Sequence, residues 1–382
     1  MKQNILFLGM TKNYPFEFNA SNTKTELIGK GLLATGNEVV VLGDIFGQRE
    51  PAEKTASALP YQTFPPTPDR RIAWFFNLFR IAGELRRRKK ADRRNIIIAG
   101  ADFYPFFLSY VLIGRLLGYR IAVIYHEWHS FRRKVKLLRL LSGYLFDYTF
   151  GYGVQAILPI SHLLEKHSRR FGKPMLIVPI LAEYGNELPA SKNTVPARQF
   201  VYCVHAGYFR VIKTILEAFR IFADTHPDFH LVLVVTGRAD MIEDVRQAVV
   251  AEKLDGSVDV LCQVPFEKLH QLYREAAALL IPLDPNSPQD QTRFSQKIAE
   301  YLTSRRPIIT TAVGEIPYYF QHLRDAIIAP SHTAADYAQA MAFCAEHPDE
   351  ASQIGRGGFE VGAARFNCLI EGRRLTEFLD RI

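Results

Sequence analysis

Short runs of β-branched and aliphatic residues recur along the chain, and nearly every one is followed by a stretch with helical spacing. In the first half the runs are Asn4 to Met10 (NILFLGM), Glu38 to Leu42, Asn95 to Ala99, Arg120 to Tyr125 (RIAVIY), Ala156 to Pro159 and Pro174 to Pro179. In the second half they are Phe200 to His205, Leu231 to Gly237, Val258 to Pro265, Ala278 to Pro282 and Ile308 to Val313. Runs without apolar-polar alternation read as strands buried on both faces, the signature of parallel sheets covered by helices. Strand-helix alternation throughout predicts an α/β protein built from βαβ units.

The intervening segments carry helix signals. Thr23 with Glu26 fits a capping box, and Leu27, Ile28, Gly31 and Leu32 continue one face. Ser161 reads as the N-cap of a helix from His162 to Phe171, and a further helix surrounds Tyr110 to Leu117. Pro51 to Pro68 is proline-rich and aperiodic, and reads as a connector. The tail from Tyr337 to Ile382 is helical in pattern, with a predicted break at Gly355-Arg356-Gly357-Gly358.

At 382 residues the chain divides most economically into two domains. Tyr184 to Arg198, YGNELPASKNTVPAR, has no apolar periodicity and reads as the linker. The expected division is a first Rossmann-like domain over 1–183, the linker over 184–198, a second Rossmann-like domain over 199–365 and a final helix over 366–382. The dinucleotide fingerprint G-x-G-x-x-G is missing after the first strand, where the chain reads Gly9-Met10-Thr11-Lys12, which argues against a dehydrogenase.

The net charge of +8 calls for an anionic partner: nucleotide phosphates, nucleic acid or an acidic membrane surface. No zinc, helix-turn-helix or aromatic-basic recognition motif accompanies the charge, which disfavours nucleic acid. Two basic, apolar segments, Arg70 to Arg94 and Phe131 to Leu141, read either as solvated helices or as contacts with an anionic membrane. The chain opens on a strand rather than a basic, cleavable leader, and no run is long enough to span a bilayer, so a cytoplasmic protein is expected, with peripheral attachment to the inner membrane face as the alternative. Four scattered cysteines form no C-x-x-C pair and read as reduced thiols. No cluster with metal-ligand spacing appears, so no metal and no cofactor are expected.

Candidate binding residues lie at the ends of predicted strands. His126 follows the fourth strand candidate, Arg120 to Tyr125, where its alternative is a histidine bonded to backbone or to Glu127. Gly207-Tyr208-Phe209-Arg210-Val211-Ile212-Lys213 follows the first strand of the second half and precedes a helix, so its glycine and two cations suit a diphosphate. The stretch Thr292 to Glu315, TRFSQKIAEYLTSRRPIITTAVGE, reads as a short helix, a strand and a loop, with Lys297 and Glu300 sharing one helix face.

That stretch resembles the F-P-[ST]-K-x-x-E-Y-x-x-x-x-[KR]-P-[IV] pattern of family-4-like glycosyltransferases, retaining nucleotide-sugar enzymes of the GT-B fold. Phe294, Lys297, Glu300, Tyr301, Pro307 and Ile308 match in register, while Ser295 stands where a proline is expected and Thr292 where many relatives carry a second glutamate. The segment from Gly207 to Lys213 is similar to the family's G-R-x-x-x-x-K-G, with Tyr208 in place of the arginine and Arg210 as its substitute.

The resemblance implies two Rossmann-like domains facing a cleft, the first on the acceptor side, the second holding the nucleotide-sugar donor, and the last helix crossing back to the first domain. It implies donor contacts from Gly207, Arg210, Lys213, Thr292, Phe294, Ser295, Lys297 and Glu300, and from the backbone of Gln263 and Val264. His126, Lys213 and Glu300 are the implied catalytic set: a histidine beside the sugar, a cation on the departing diphosphate and a carboxylate on the ribose. The implied reaction moves a sugar to a hydroxyl of a glycan or lipid-linked acceptor, with retention and without a metal, in the synthesis of a cell-surface polysaccharide or glycolipid. A nucleotide-sugar epimerase of the same fold and an inactive glycosyltransferase-like subunit are the alternatives.

Overall fold

The computed structural model of the chain describes residues 2–11, 14–15, 19–44, 59–64, 70–100, 104–129, 137–185 and 197–382, with the backbone alone for 70–76. Parts of the Thr11–Asn22 loop, the Pro51–Pro68 connector, the Phe131–Leu141 segment and the Tyr184–Arg198 linker lie outside the described residues. The chain divides into two compact units: Met1–Glu183 with Thr292–Gln296 and Phe366–Ile382, and Tyr184–Gln291 with Lys297–Arg365.

In the first unit the elements are β1 (Gln3–Leu8), α1 (Ala20–Ala34), β2 (Glu38–Asp44), β3 (Tyr61–Phe64), α2 (Arg70–Arg88), β4 (Arg94–Ala99), α3 (Tyr104–Leu116), β5 (Arg120–Tyr125), α4 (Leu137–Thr149), β6 (Ala156–Pro159) and α5 (His162–Ser168). The six strands form one parallel sheet in the order β3-β2-β1-β4-β5-β6. This is the doubly wound arrangement in which strand order reverses once, here between β1 and β4. Every residue of β1 and β6 is buried, as expected of strands covered on both faces.

The second unit repeats this topology. Its elements are β7 (Gln199–His205), α6 (Phe209–Ala223), β8 (His230–Thr236), α7 (Ala239–Ala251), β9 (Val258–Leu261), α8 (Phe266–Glu275), β10 (Ala278–Ile281), α9 (Pro288–Thr292), α10 (Gln296–Leu302), β11 (Ile308–Thr311), α11 (Ile316–Tyr319), β12 (Ile327–Ala329), α12 (Ala334–Glu346) and α13 (Pro348–Arg365); Thr292 at the end of α9 and Gln296 at the start of α10 belong to the first unit. The sheet order is β12-β11-β10-β7-β8-β9, so its reversal lies between β7 and β10. A stripe of Val211, Ile215, Ala218, Phe219 and Phe222 seats α6 on this sheet.

The last helix, α14 (Cys368–Leu379), belongs to the first unit and packs against α1. Its Cys368, Leu375 and Leu379 join Leu27, Ile28 and Leu32 in one core cluster. Glycine permits the close crossing: a Cβ on Gly31 would lie 2.1 Å from the Cys368 carbonyl oxygen, and one on Gly372 would lie 2.2 Å from the Gly31 carbonyl carbon.

Several sequence expectations are corrected. Helix α1 starts a turn before the expected capping box, because Asn19 is the N-cap and accepts from the Asn22 amide at 2.9 Å. The connector contains β3, and β12 was not anticipated; both are short edge strands with little apolar run to betray them. Pro174 to Pro179 forms no strand, only an isolated bridge from Met175 to Ile157. The glycines of Gly355–Gly358 do not break the helix. They lie within α13, where a Cβ on Gly355 would meet the Arg305 carbonyl oxygen at 2.4 Å, so they allow close packing against neighbouring backbone.

Candidate functional site

Open α/β sheets bind ligands outside the carboxyl ends of their strands, next to the point where strand order reverses. In the second unit that point is flanked by the segment after β7 and the segment after β10. The first delivers Arg210 and the second Asp284, and the two side chains form an ion pair. Asp284 is held from behind, its amide donating to Asp290 Oδ2 at 3.1 Å and its Oδ1 accepting from the Asn286 amide at 2.8 Å. Burial pushes the Asp284 carboxyl up, but the Asn286 amide and the Arg210 guanidinium outweigh it and hold the group below the usual carboxylate value.

The segment after β7 is not the open loop expected from the sequence. Ala206–Tyr208 form a single 3-10 turn, and α6 begins at Phe209, so Arg210 and Lys213 project from the first turns of the helix. Gly207 donates its amide to His205 Nδ1 at 3.0 Å, which commits the N–H expected for a phosphate. Tyr208 at the N-cap makes no side-chain capping bond to α6. The partial positive charge at a helix start suits an anion. Arg210 and Lys213 are both exposed beside them.

Gln263 and Val264 follow β9 at the same end of the sheet. Gln263 takes φ +52°, a left-handed conformation uncommon for a residue with a Cβ, and its side chain is exposed.

The remaining motif residues separate into two groups. Lys297 and Glu300 lie one turn apart on α10 in the second unit. Burial raises the Glu300 carboxyl to about 6, partly offset by Lys297. Tyr301, the motif tyrosine, is fully buried and structural: its hydroxyl accepts from the Cys203 amide at 2.9 Å, and its ring meets Tyr273 edge-on at 4.8 Å. It satisfies a β7 amide beyond the two residue pairs in register with β10.

Thr292, Phe294 and Ser295 fall in the first unit instead of the expected second. The Thr292 carbonyl accepts from Ser161 Oγ at 2.6 Å, and the buried Phe294 ring packs on Phe366 with centroids 5.5 Å apart. The first half of the motif thus anchors the chain to the core of that unit.

Also in the first unit, His126 follows β5, and its Nε2 is buried without a hydrogen-bond partner among the described residues. Burial, then the neighbouring Lys24 and His129, hold the ring well below the usual histidine value, so it is neutral near pH 7. Lys24 is the residue that sequence reasoning missed. It is buried, donates to the Val178 carbonyl at 3.1 Å, and is lowered to about 7 by burial against a small opposing effect of Glu371. The available signal was its place on the apolar stripe of α1, one turn before Leu27 and Ile28.

Residues 201–347 match the family described as glycosyl transferases group 1. Among solved structures, HepE of Anabaena in complex with UDP and glucose aligns with a TM-score of 0.75 and 12% identity, covering 100% of both chains. Sucrose-phosphate synthase from Thermosynechococcus elongatus aligns with a TM-score of 0.73 and 16% identity, covering 100% of this chain and 99% of that one. The trehalose-6-phosphate synthase OtsA aligns at 0.67 with 12% identity, covering 100% and 99%. No curated protein sequence matches the chain. The chain thus has the GT-B fold along its whole length, and its residues 201–347 match the glycosyl transferases group 1 family.

Proposed function

We propose that the protein transfers a sugar from a nucleoside diphosphate donor to a hydroxyl of a glycan or lipid-linked acceptor, with retention of configuration and without a metal. The observation that carries this reading is the start of α6, set with Arg210 and Lys213 where the second sheet reverses its strand order. The expensive charge in such a transfer is the departing diphosphate, and positive groups fixed where that charge develops lower the barrier. Lys213 and Arg210, with the first amides of α6, take that role. Glu300 accepts from the ribose hydroxyls, Lys297 stands beside it, and the backbone at Gln263 and Val264 meets the base. His126, neutral and with Nε2 unpartnered among the described residues, is the sugar contact of this reading.

The related fold of HepE with UDP-glucose makes UDP-glucose the first donor to test. Calorimetry with UDP-glucose, followed by GDP- and ADP-sugars, is expected to show binding that weakens roughly tenfold or more in Lys213→Ala and in Glu300→Ala, the scale of a lost charge-assisted hydrogen bond. Unchanged donor affinity in both variants overturns the assignment. A lipid-linked acceptor would place the reaction at a membrane surface, with the protein attached peripherally.

A further inference from the structure

Helix α4 has its polarity reversed. The face turned into the first unit carries Ser142, Gly143, Phe146 and Asp147, and its polar groups are in use: Ser142 Oγ accepts from the Tyr104 amide at 2.8 Å, and Asp147 Oδ1 accepts from the Tyr125 hydroxyl at 3.0 Å. The opposite face carries Leu137, Leu138, Leu141, Tyr144, Leu145 and Tyr148, all exposed, with Leu137 81% and Leu138 65% accessible. An outward helix face in water is ordinarily polar. Helix α3, packed beside α4, repeats the pattern with Leu108, Leu112 and Leu116 one turn apart, the last 85% accessible. Isolated exposed leucines need no explanation, but two neighbouring stripes mark an interaction surface.

The exposed charges on these two helices are positive. Arg139 on α4 and Arg115 on α3 are exposed, and the acidic Asp147 is buried. At the rim, Lys166, Arg169 and Arg170 end the α5 segment, Arg169 paired with Glu165 at 3.4 Å and the Arg170 guanidinium 4.5 Å from the centre of the Tyr148 ring. Several cations of the Arg70–Arg94 segment are engaged within the unit. Arg87 and Arg88 pair with Glu84, Lys90 and Arg93 pair with Glu38, and Arg94 donates to the carbonyl of Ile382 at 2.9 Å.

We propose that the outward faces of α3 and α4 form a lipid-docking surface, with the leucines and tyrosines entering the headgroup–acyl boundary and the surrounding arginines and lysine meeting anionic headgroups. Leucine and tyrosine stripes ringed by cations are the composition of an interfacial helix surface. A second copy of the chain fits less well, since a twofold contact would bring each cation ring against its own copy. The inference deepens the reading of a membrane-presented acceptor, but it concerns docking alone.

The test is sedimentation of the donor-free protein with vesicles of equimolar phosphatidylglycerol and phosphatidylcholine, beside vesicles of phosphatidylcholine alone. The expected result is binding to the anionic vesicles, weakened by salt, that falls about tenfold or more in Leu138→Glu/Leu141→Glu/Leu145→Glu. These side chains are exposed, so an unchanged unfolding midpoint shows that the variant is folded, and unchanged UDP-glucose calorimetry separates docking from donor binding. Absence of vesicle binding by the native protein overturns the proposal, as does equal binding by the triple variant. Dimerisation that the triple variant abolishes, without vesicle binding, overturns it in favour of a second copy.

Discussion

Arg210 and Asp284 pair where the second sheet reverses its strand order, tying the start of α6 to the segment after β10. The pair keeps a buried carboxylate from facing the proposed diphosphate site unneutralised. Arg210→Ala therefore removes a cation and also uncovers an anion. Donor affinity measured by calorimetry is expected to fall by roughly 10- to 100-fold, the range for loss of a charged hydrogen bond. In Arg210→Ala/Asp284→Asn the uncovered charge is gone, and several-fold of the affinity returns. A double variant as weak as Arg210→Ala would show that Asp284 has no electrostatic part in donor binding.

Glu300 gives donor binding a pH dependence. Its carboxyl, raised to about 6 by burial, must be ionised to accept two ribose hydroxyls at full strength. Affinity for UDP-glucose is expected to be constant above about pH 7 and to weaken as pH falls through about 6, with Glu300→Gln weaker overall and flat across that window. The stability effect has the opposite sense. A folded-state value above the unfolded 4.5 means that the folded chain holds the proton more tightly, so this stabilisation is present below 4.5 and lost as pH rises through about 6, on the order of 2 kcal/mol. Titration calorimetry and thermal unfolding across this range check the two halves separately.

Much of the fold was legible because buried parallel strands announce themselves as unbroken apolar runs. RIAVIY and Ala156–Pro159 have the observed limits of β5 and β6. Edge strands β3 and β12 are only four and three residues long and so carry less signal. Glycine was the harder residue to read. At Gly355–Gly358 its low helix propensity suggested a break, whereas close approach of backbone explains it. In the site, the spacing of Gly207 to Lys213 was legible, but its helical start was not. Nothing local in the sequence revealed that Phe294 is held by Phe366, because that contact joins residues far apart in the chain.

Lys24 makes the first unit more stable in mild alkali. Its folded value of about 7 lies far below the unfolded 10.5, so between these limits the unfolded chain binds a proton that the folded chain has released. Stability then rises with pH from about 7 to about 10.5, by on the order of 5 kcal/mol in total, and below 7 the cost of burying the ammonium is borne in full. Lys24→Met should raise the unfolding midpoint at neutral pH and flatten the rise. Calorimetric scans of both proteins at about pH 7 and about pH 9 measure it. An equal rise in the variant would assign the titration to another group.

The crossing of α1 and α14 offers a prediction with a built-in opposite. A Cβ on Gly372 would lie within 2.4 Å of the carbonyl carbon, oxygen and Cα of Gly31, all backbone atoms that no rotamer change can move. Gly372→Ala must push the helices apart and loosen the contact of Leu375 and Leu379 with the core, at a cost of about 3 kcal/mol or more. Gly83 in α2 has nothing within 4 Å of its Cβ position, so Gly83→Ala adds helix propensity without a clash and should stabilise by about 0.5–1 kcal/mol. Thermal unfolding is expected to move in opposite directions, with the Gly372→Ala midpoint lower by roughly 6–12 °C and that of Gly83→Ala slightly higher. Equal, small effects from the two substitutions would mean that α1 and α14 tolerate a wider crossing than their glycines indicate.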